Sequence, residues 1–321
     1  MSGPTIAPPP AARNTTAARP TIEPCRNDAE LRAYIDAHWR RNHVLARDGR
    51  MFDFQYRTPW VDRQVFPRGT SVLCAYDDEG AAGEAGRLVG FLGAIVAPYP
   101  RPRSFWLALW HVLPDLKGCG LGGRLLGSMQ TLAENACGGG GWIGTFGAGP
   151  EAVPVYLKRG YAVRAVRRWV FEPGSSDAGP PEAAWAAPCG GYAPDSDWLA
   201  YRYDGHPIYR YERRDAGVFR TETNTWGVVT HCLRISAGRQ GAEEAAAVWA
   251  RDRARAEQLG MPHLMDAWSF ETPGPGWTLA REDLPSVFHP PEARGNLIYA
   301  SGRPVLPSMV TKGDCDQDRP N

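Results

Sequence analysis

Closely spaced cysteines are missing from this chain of 321 residues. Its seven cysteines are odd in number and scattered, and no Cys-x-x-Cys pair occurs. Disulfide frameworks and tetrahedral zinc sites usually place their ligands in close pairs. We therefore predict neither and expect no metal site. The cysteines are interpreted as reduced thiols.

The sequence also has no uninterrupted run of about 18 apolar residues, which a membrane-spanning helix would need. Its first residues, MSGPTIAPPPAARNTTAARP, lack the apolar core of a secretory signal. The formal net charge is only +1, too small to attract the whole chain to nucleic acid or an anionic membrane. We expect a cytoplasmic protein without a membrane or nucleic-acid partner.

The composition is that of a folded protein, with 43% hydrophobic and 22% charged residues. The length favours two domains. Residues 1–24 are rich in Pro, Ala and Thr and predict a disordered tail. A Pro-, Gly- and Ser-rich stretch, 172–196, predicts a linker. It separates a first domain, 25–171, from a second, 197–321.

Hydrophobic periodicity in the first domain predicts alternating strands and helices. A helix opens at Asp28. The remaining predicted elements are a hairpin of 71–76 and 86–96, a buried strand 105–112, a helix 121–137, a strand 142–146 and a short helix 150–158. This order predicts an α/β (α+β) fold with a mixed twisted sheet flanked by helices.

The second half repeats the order strand, helix, strand over residues 227–235, 242–259 and 263–270. Between Ile235 and Ala242 it reads Ser-Ala-Gly-Arg-Gln-Gly, which has few glycines and no regular glycine spacing. The second half therefore predicts another α/β domain that lacks a phosphate-binding loop.

Residues 117–123, Lys-Gly-Cys-Gly-Leu-Gly-Gly, contain four glycines between the buried strand and its helix. Glycines allow unusual backbone angles and close ligand approach, so successive N–H groups can point at one anion, and the helix N-terminus adds positive charge. Such a turn can also simply connect a strand to a helix. Its spacing is neither that of a P-loop nor that of a dinucleotide-binding fingerprint.

The loop resembles the acyl-CoA signature of the GNAT acetyltransferases, Arg/Gln-x-x-Gly-x-Gly/Ala. Lys117 stands in the basic first position, Gly120 in the fourth and Gly122 in the sixth. A second motif lies downstream, because Tyr156-Leu157-Lys158-Arg159-Gly160-Tyr161 is similar to the family's Tyr-x-x-x-Gly-Phe/Tyr segment. The two motifs lie within residues 105–171. Lys in place of Arg or Gln is a mild departure.

The resemblance implies a GNAT fold and acetyl-CoA, or another acyl-CoA, as co-substrate. It implies that strands 105–112 and 142–146 splay apart to admit the pantetheine arm, and that Tyr156 protonates the departing thiolate. Tyr156 could instead be a core aromatic. The resemblance assigns donor binding to Trp110, His111, Val112, Lys117, Gly118, Cys119, Gly120, Leu121, Gly122 and Gly123.

The general base has several candidates. His111 has a pKa suited to accepting a proton near neutrality, but strand alternation makes a buried structural histidine equally plausible. His43, Asp48 and Asp53 of the opening segment are alternatives, and water could carry the proton instead.

The acceptor is expected to be a small-molecule primary amine. The second half resembles a degenerate GNAT-like domain, which would wall the acceptor site. Asp53, Arg202, His206 and Tyr209 are candidate acceptor ligands, although the cluster 202–211 could equally form an interdomain contact.

The segments NHVLARDGRMFDFQY and DCDQDRPN are similar to tandem GNAT-like proteins of bacterial surface-polysaccharide or sugar-modifying pathways. That resemblance implies an amino sugar or nucleotide sugar as acceptor. Two other functions remain open: an aminoacyl-tRNA-dependent transferase, and a non-catalytic CoA-binding sensor or scaffold. The acyl chain length and the oligomeric state are not predicted.

Overall fold

The structure, a computed structural model, describes residues 19–77, 86–98, 103–136, 142–173, 196–236, 239–269, 273–274, 276–281 and 296–300. The Asp-rich end of the chain and most of the predicted linker lie outside these residues.

Thirteen described strands form two mixed sheets. Their bounds are β1 Thr21–Pro24, β2 Val72–Asp77, β3 Arg87–Ala97, β4 Ser104–Val112, β5 Trp142–Phe146, β6 Tyr161–Ala165, β7 Arg167–Phe171, β8 Glu212–Arg213, β9 Gly217–Thr223, β10 Val228–Ile235, β11 His263–Ser269, β12 Trp277–Leu279 and β13 Asn296–Ala300. The first sheet has the order β1-β2-β3-β4-β5-β13-β6, and the second β12-β7-β11-β10-β9-β8. Each contains one parallel pair, β4–β5 and β10–β11.

The described helices are α1 Asp28–Tyr34, α2 Val44–Arg47, α3 Gly49–Tyr56, α4 Leu121–Ala136, α5 Val153–Lys158, α6 Ser196–Leu199 and α7 Arg239–Gln258. Two of them continue as π-helical turns, α1 through Ile35–Trp39 and α6 through Ala200–Asp204. Short polar side chains begin the first helices: Asn27 accepts from the amides of Ala29 and Glu30, and Asp48 caps α3. The predicted α/β fold is confirmed.

The main core lies on both faces of the first sheet. Helix α4 covers one face because Leu125, Leu126 and Met129 recur at helical spacing and are fully buried. Strand β4 is buried almost throughout, as its continuous apolar sequence predicts. The glycine loop, residues 117–123, therefore lies between two well-packed elements.

The two sheets exchange strands. Strand β13, from the end of the chain, pairs with β5 and β6 in the first sheet. Strand β7, which precedes the predicted linker, pairs with β11 and β12 in the second. Each sheet thus contains a strand from the other half of the chain. The boundaries 25–171 and 197–321 stay predictions, and the chain crosses between the sheets twice.

The predicted tail differs from the structure at its end, where residues 21–24 form β1. Its residues pair with β2 from Thr21↔Tyr76 to Pro24↔Leu73. Composition alone did not predict this strand, because a strand can form backbone hydrogen bonds with a sheet edge without large apolar side chains.

Among the described residues, no helix is long and apolar enough to cross a membrane. The same residues contain no group of three or more His, Cys, Asp or Glu side chains that could hold a metal ion.

Candidate active site

A cleft opens where β4 and β5 diverge. These strands pair only from Ser104↔Trp142 to Trp106↔Gly144. Beyond that point Thr145 Oγ1 donates to the carbonyl of Leu107 at 3.0 Å, and β5 pairs on its other edge with β13. The cleft has a volume of about 190 Å³ and is lined by 107–110, 145–149, Trp39, Leu92, Glu151, Ala152 and Tyr156.

A β-bulge shapes the β4 wall of the cleft. Leu92 pairs with Trp110 and Gly93 with Ala108, so Leu109 is the extra residue, and its φ is +52°. A positive φ is unfavourable for leucine and persists only where the surroundings impose it. The surroundings here are tight, because a Cβ on Gly93 would lie 2.5 Å from Tyr56 Cε1 and 2.8 Å from the carbonyl oxygen of Ala108. The bulge lies three residues past Trp106, the last β4 residue that pairs with β5.

The second sheet has the same bulge without the divergence. Leu233 is the extra residue of β10. However, β10 and β11 stay paired from Val228↔His263 to Cys232↔Ala267, directly up to the bulge. The parallel strands of the second sheet thus remain closed where those of the first open.

The glycine loop lies between the end of β4 and α4. Gly118 and Gly120 have φ values of +85° and +84°, the left-handed region that favours glycine, and a Cβ on either would meet no atom within 4 Å. The first α4 hydrogen bond runs from the Arg124 amide to the Gly120 carbonyl, at 3.0 Å. The amides of 121–123 precede it and have no intrahelical acceptor. The loop therefore borders open space with unpaired helical amides.

Gly122 and Trp110 connect this loop to the cleft. A Cβ on Gly122 would lie 3.0 Å from Trp110 Cζ2, so only glycine lets the indole pack at the start of α4. The Trp110 ring also packs edge-on against Tyr156, with centroids 5.5 Å apart. A molecule bound to the loop amides could extend along Trp110 towards Tyr156.

The other predicted loop residues differ in what they offer a ligand. The Lys117 amide donates to the Pro114 carbonyl at 3.2 Å, and the exposed Cys119 thiol donates to the Leu116 carbonyl at 2.8 Å. Leu121 is buried with 1% exposure, so only its backbone could face a ligand.

Lys117→Ala is expected to change acetyl-CoA affinity by no more than about threefold, since the backbone amides of 121–123 are expected to make the main phosphate contacts. Calorimetric titration of acetyl-CoA into both proteins measures this. A loss of acetyl-CoA affinity of more than about tenfold would indicate that the Lys117 ammonium makes the main phosphate contact instead.

Tyr156 lines the cleft from α5. Its side chain is 3% exposed and packs against Trp110 and, with centroids 5.2 Å apart, against Tyr161. Burial raises the pKa of Tyr161. The Tyr161 hydroxyl is buried and has no hydrogen-bond partner among the described residues. Tyr156 is therefore both a core aromatic and a cleft residue.

His111 lies beside the cleft lining rather than in it. Its Nδ1 is 3.0 Å from the Tyr34 hydroxyl, which donates to the Val89 carbonyl at 3.1 Å. If the single proton of that hydroxyl points to the Val89 carbonyl, Nδ1 supplies the proton of the shared contact and Nε2 keeps the lone pair. Burial, followed by the nearby Lys117 charge, lowers the pKa of His111. His111 is thus neutral near pH 7.

The lowered pKa of His111 predicts a contribution to stability that is present above the unfolded-state value of about 6.5 and lost as pH falls through the folded value. Below about pH 6.5 the unfolded chain binds the proton more readily. We expect His111→Asn to lose less of its stability than wild type does between pH 7.5 and 5. Urea unfolding at both pH values measures this, and an equal or larger loss in the variant would contradict it.

The other candidate bases have structural partners. His43 is buried and accepts the Leu45 amide at 3.3 Å at the start of α2. Asp48 caps α3, and its hydrogen bond with Arg50 lowers the pKa of its carboxyl. Asp53 is largely exposed and pairs with Arg57 at 3.4 Å. None of these three lines the cleft.

The predicted acceptor ligands of the second half gather near α3. His206 packs against Phe54, with ring centroids 4.8 Å apart, and stacks on Tyr209. The buried Arg202 lies over the same Phe54 ring, 5.6 Å from its centroid. Tyr201 also stacks on Phe54 and donates to its carbonyl at 2.6 Å. These contacts favour the interdomain interpretation, and a role in acceptor binding stays a prediction.

Most of the cleft residues were not predicted as site residues, and Trp39 and Glu151 are two that matter for its chemistry. Trp39 is the last residue of the π-helical turn. The Arg40 amide closes this turn by donating a hydrogen bond to the Ile35 carbonyl at 2.9 Å. Glu151 lies in the loop between β5 and α5. The loop at the carboxyl end of a parallel strand is a common ligand position, and this was the available signal for Glu151.

Comparison with known proteins identifies the family of the first half. Residues 31–161 match the model of the Acetyltransferase (GNAT) family. No curated protein matches the sequence at a significant level.

Solved structures resemble more of the chain. A Pyrococcus horikoshii protein assigned as an acetyltransferase superposes with a TM-score of 0.50 at 11% identity, covering 97% of this chain and 99% of its own. At that identity the likeness shows the fold alone.

Two other solved structures score lower. A GCN5-related N-acetyltransferase from Anabaena variabilis has a TM-score of 0.47 at 10% identity, covering 88% of this chain and 72% of its own. A GNAT family N-acetyltransferase from Escherichia coli in complex with CoA has a TM-score of 0.32 at 18% identity, covering 47% and 73%. The family match, together with the diverging strands and the glycine loop, makes residues 31–161 a domain of the acetyltransferase (GNAT) family.

Proposed function

We propose that this protein transfers an acetyl or another short acyl group from CoA to a primary amine of a small molecule, by direct attack of the amine on the thioester. The divergence of β4 and β5 beside the glycine loop carries this proposal. Trp110 lines the cleft and packs against both the start of α4 at Gly122 and the Tyr156 ring, so it lies between the glycine loop and Tyr156. An extended thioester fits this arrangement.

The glycine loop would bind the pyrophosphate of the donor. Gly118 and Gly120 leave the space in front of the loop open, and the amides of 121–123 point out of the α4 N-terminus, where the helix dipole favours an anion. The pantetheine arm would then lie against the β4 edge near Trp110 and Val112. Its amides can hydrogen-bond that edge because β5 no longer does.

Tyr156 would act on the leaving group. The amine nitrogen attacks the carbonyl carbon, the C–S bond breaks, and the Tyr156 hydroxyl gives its proton to the sulfur. The acceptor would enter the cleft from the side of Trp39 and residues 147–149. His111 is kept as a candidate base acting through water, because its Nε2 carries a lone pair.

The amino sugar or nucleotide sugar that the sequence resemblance implies is tested as one acceptor among several. Acetyl-CoA is mixed with the protein and a panel of primary amines, and free thiol and N-acetylated product are measured together. Equal amounts of the two products support the proposal. Binding of acetyl-CoA without transfer to any amine would favour a sensor or scaffold, and turnover that required aminoacyl-tRNA would replace the CoA donor.

A further inference from the structure

One charged residue faces the cleft. Among the described lining residues, Glu151, which is an exposed residue, alone has a carboxyl side chain, since the others are aliphatic, aromatic, glycine, alanine or threonine. The chain contains nearly equal numbers of basic and acidic residues, 36 Lys and Arg and 35 Asp and Glu. Its composition therefore does not explain why the charged side chain in the cleft is acidic. The cleft is a neutral cavity with one negative group.

The backbone brings the Glu151 carboxylate back over its own loop. A Cβ on Gly149 would lie 2.7 Å from Glu151 Oε1 and 2.8 Å from Oε2, closer than a real Cβ tolerates. Glycine at 149 therefore permits this carboxylate position. No ion pair joins Glu151 to any cation that the structure describes. Its charge is available to a ligand.

Trp39 provides an aromatic surface in the same cleft. It is half-buried, and its ring packs edge-on against His43, with centroids 4.5 Å apart. The π-helical turn widens the end of α1 and positions this side chain, a use of such turns that is frequent at functional sites. Aromatic faces attract cations and pack against flat apolar groups.

We propose that Glu151 binds the ammonium group of the acceptor and removes its proton, and that the acceptor is a primary amine with no carboxylate beside the amine and a flat, largely apolar skeleton against Trp39. This inference rests on the proposed acyl transfer. An α-carboxylate would lie within a few ångströms of Glu151, where the two like charges repel each other. The site therefore disfavours free amino acids.

The proton balance is complete without another reactant. The ammonium gives one proton to the Glu151 carboxylate, and the neutral amine attacks the thioester carbonyl. When the C–S bond breaks, Tyr156 protonates the sulfur, and the second proton of the attacking nitrogen restores the tyrosine. The carboxyl of Glu151 then loses its proton to water. One amine and one acyl-CoA give one amide, one thiol and one proton.

The experiment compares phenethylamine, phenylalaninamide and phenylalanine, which differ at the carbon beside the amine, as acceptors for wild type, Glu151→Gln and Glu257→Gln. Glu257 is an exposed α7 residue paired with Arg253 at 3.0 Å, and its variant makes the same charge change away from the cleft. For phenethylamine, we expect Glu151→Gln to lower kcat/KM by about 100-fold. Glu257→Gln should match wild type.

Wild type should prefer phenethylamine and phenylalaninamide to phenylalanine by at least about tenfold, and Glu151→Gln should abolish most of that preference. The acetyl-CoA dissociation constant should be equal in all three proteins. If wild type binds acetyl-CoA but acetylates phenylalanine as well as phenethylamine, or if Glu151→Gln retains full activity, the inference is overturned. Failure of wild type to bind acetyl-CoA would instead refute the proposed function.

Discussion

Gly120→Trp is expected to weaken acetyl-CoA binding by at least about 100-fold, equivalent to about 2.7 kcal/mol. Gly120 lies in the left-handed region with open space in front of it, so an indole placed there would occupy the volume in which the phosphates must approach the loop amides. Each charge-assisted hydrogen bond lost contributes about 1.5–3 kcal/mol. Calorimetric titration of acetyl-CoA into the folded variant measures the effect.

Backbone strain must be separated from loss of the donor site, because a side chain at positive φ costs about 1–2 kcal/mol by itself. Gly260 offers a matched control. It follows α7, its φ is +64°, and a Cβ there also meets no atom within 4 Å. Gly260→Trp should lose comparable thermal stability and bind acetyl-CoA as wild type does. If Gly120→Trp binds equally well, the loop does not hold the phosphates.

Tyr156→Phe should lower kcat by about 100-fold and leave acetyl-CoA affinity within about twofold of wild type. The substitution removes the hydroxyl that we propose protonates the thiolate, while the ring keeps its contacts with Trp110 and Tyr161. Steady-state kinetics and calorimetry together measure this separation. Equal losses of stability and rate would indicate that Tyr156 has a purely structural role.

Tyr161→Phe is the control for this variant. Tyr161 packs against Tyr156 in the same cluster, but its buried hydroxyl has no partner among the described residues. Removing an unsatisfied hydroxyl should leave kcat unchanged and keep or raise stability. A large loss of kcat in Tyr161→Phe would indicate that Tyr161, and not Tyr156, transfers the proton.

Local sequence signals predicted much of the first half. The apolar run 105–112 corresponds to β4, and the leucine periodicity after Gly120 corresponds to α4, Leu121–Ala136. Both patterns depend on neighbours in the sequence, so periodicity alone identifies them. The divergence of β4 from β5 was implied by the family resemblance, and the structure contains it.

Long-range pairing could not be predicted in the same way. Strand β13 inserts between β5 and β6 although about 130 residues separate it from β6, and no local pattern encodes that choice of partner. Helix α3 was not assigned from its aromatic-rich sequence. It forms because Asp48 caps it and because Phe52 and Tyr56 lie on one buried face.

The cleft residues show the same limit. Glu151 belongs to a loop without periodicity, and it becomes notable only because every other described residue around the cleft is uncharged. Trp39 follows the helix that was predicted to open at Asp28, and it reaches the cleft from the end of the π-helical turn. The identity of the second half as a degenerate domain of the same family stays a prediction. Its bulged β10 and its closed β10–β11 pair are consistent with that prediction.

The most direct test of the account is calorimetric titration of acetyl-CoA into the wild-type protein. We expect one donor to bind per chain, since the glycine loop and the open cleft lie in the first half and the corresponding strands of the second half remain paired. Binding at that stoichiometry, lost in Gly120→Trp and kept in Gly260→Trp, is the predicted result. No binding of acetyl-CoA to the folded wild-type protein would contradict the central claim.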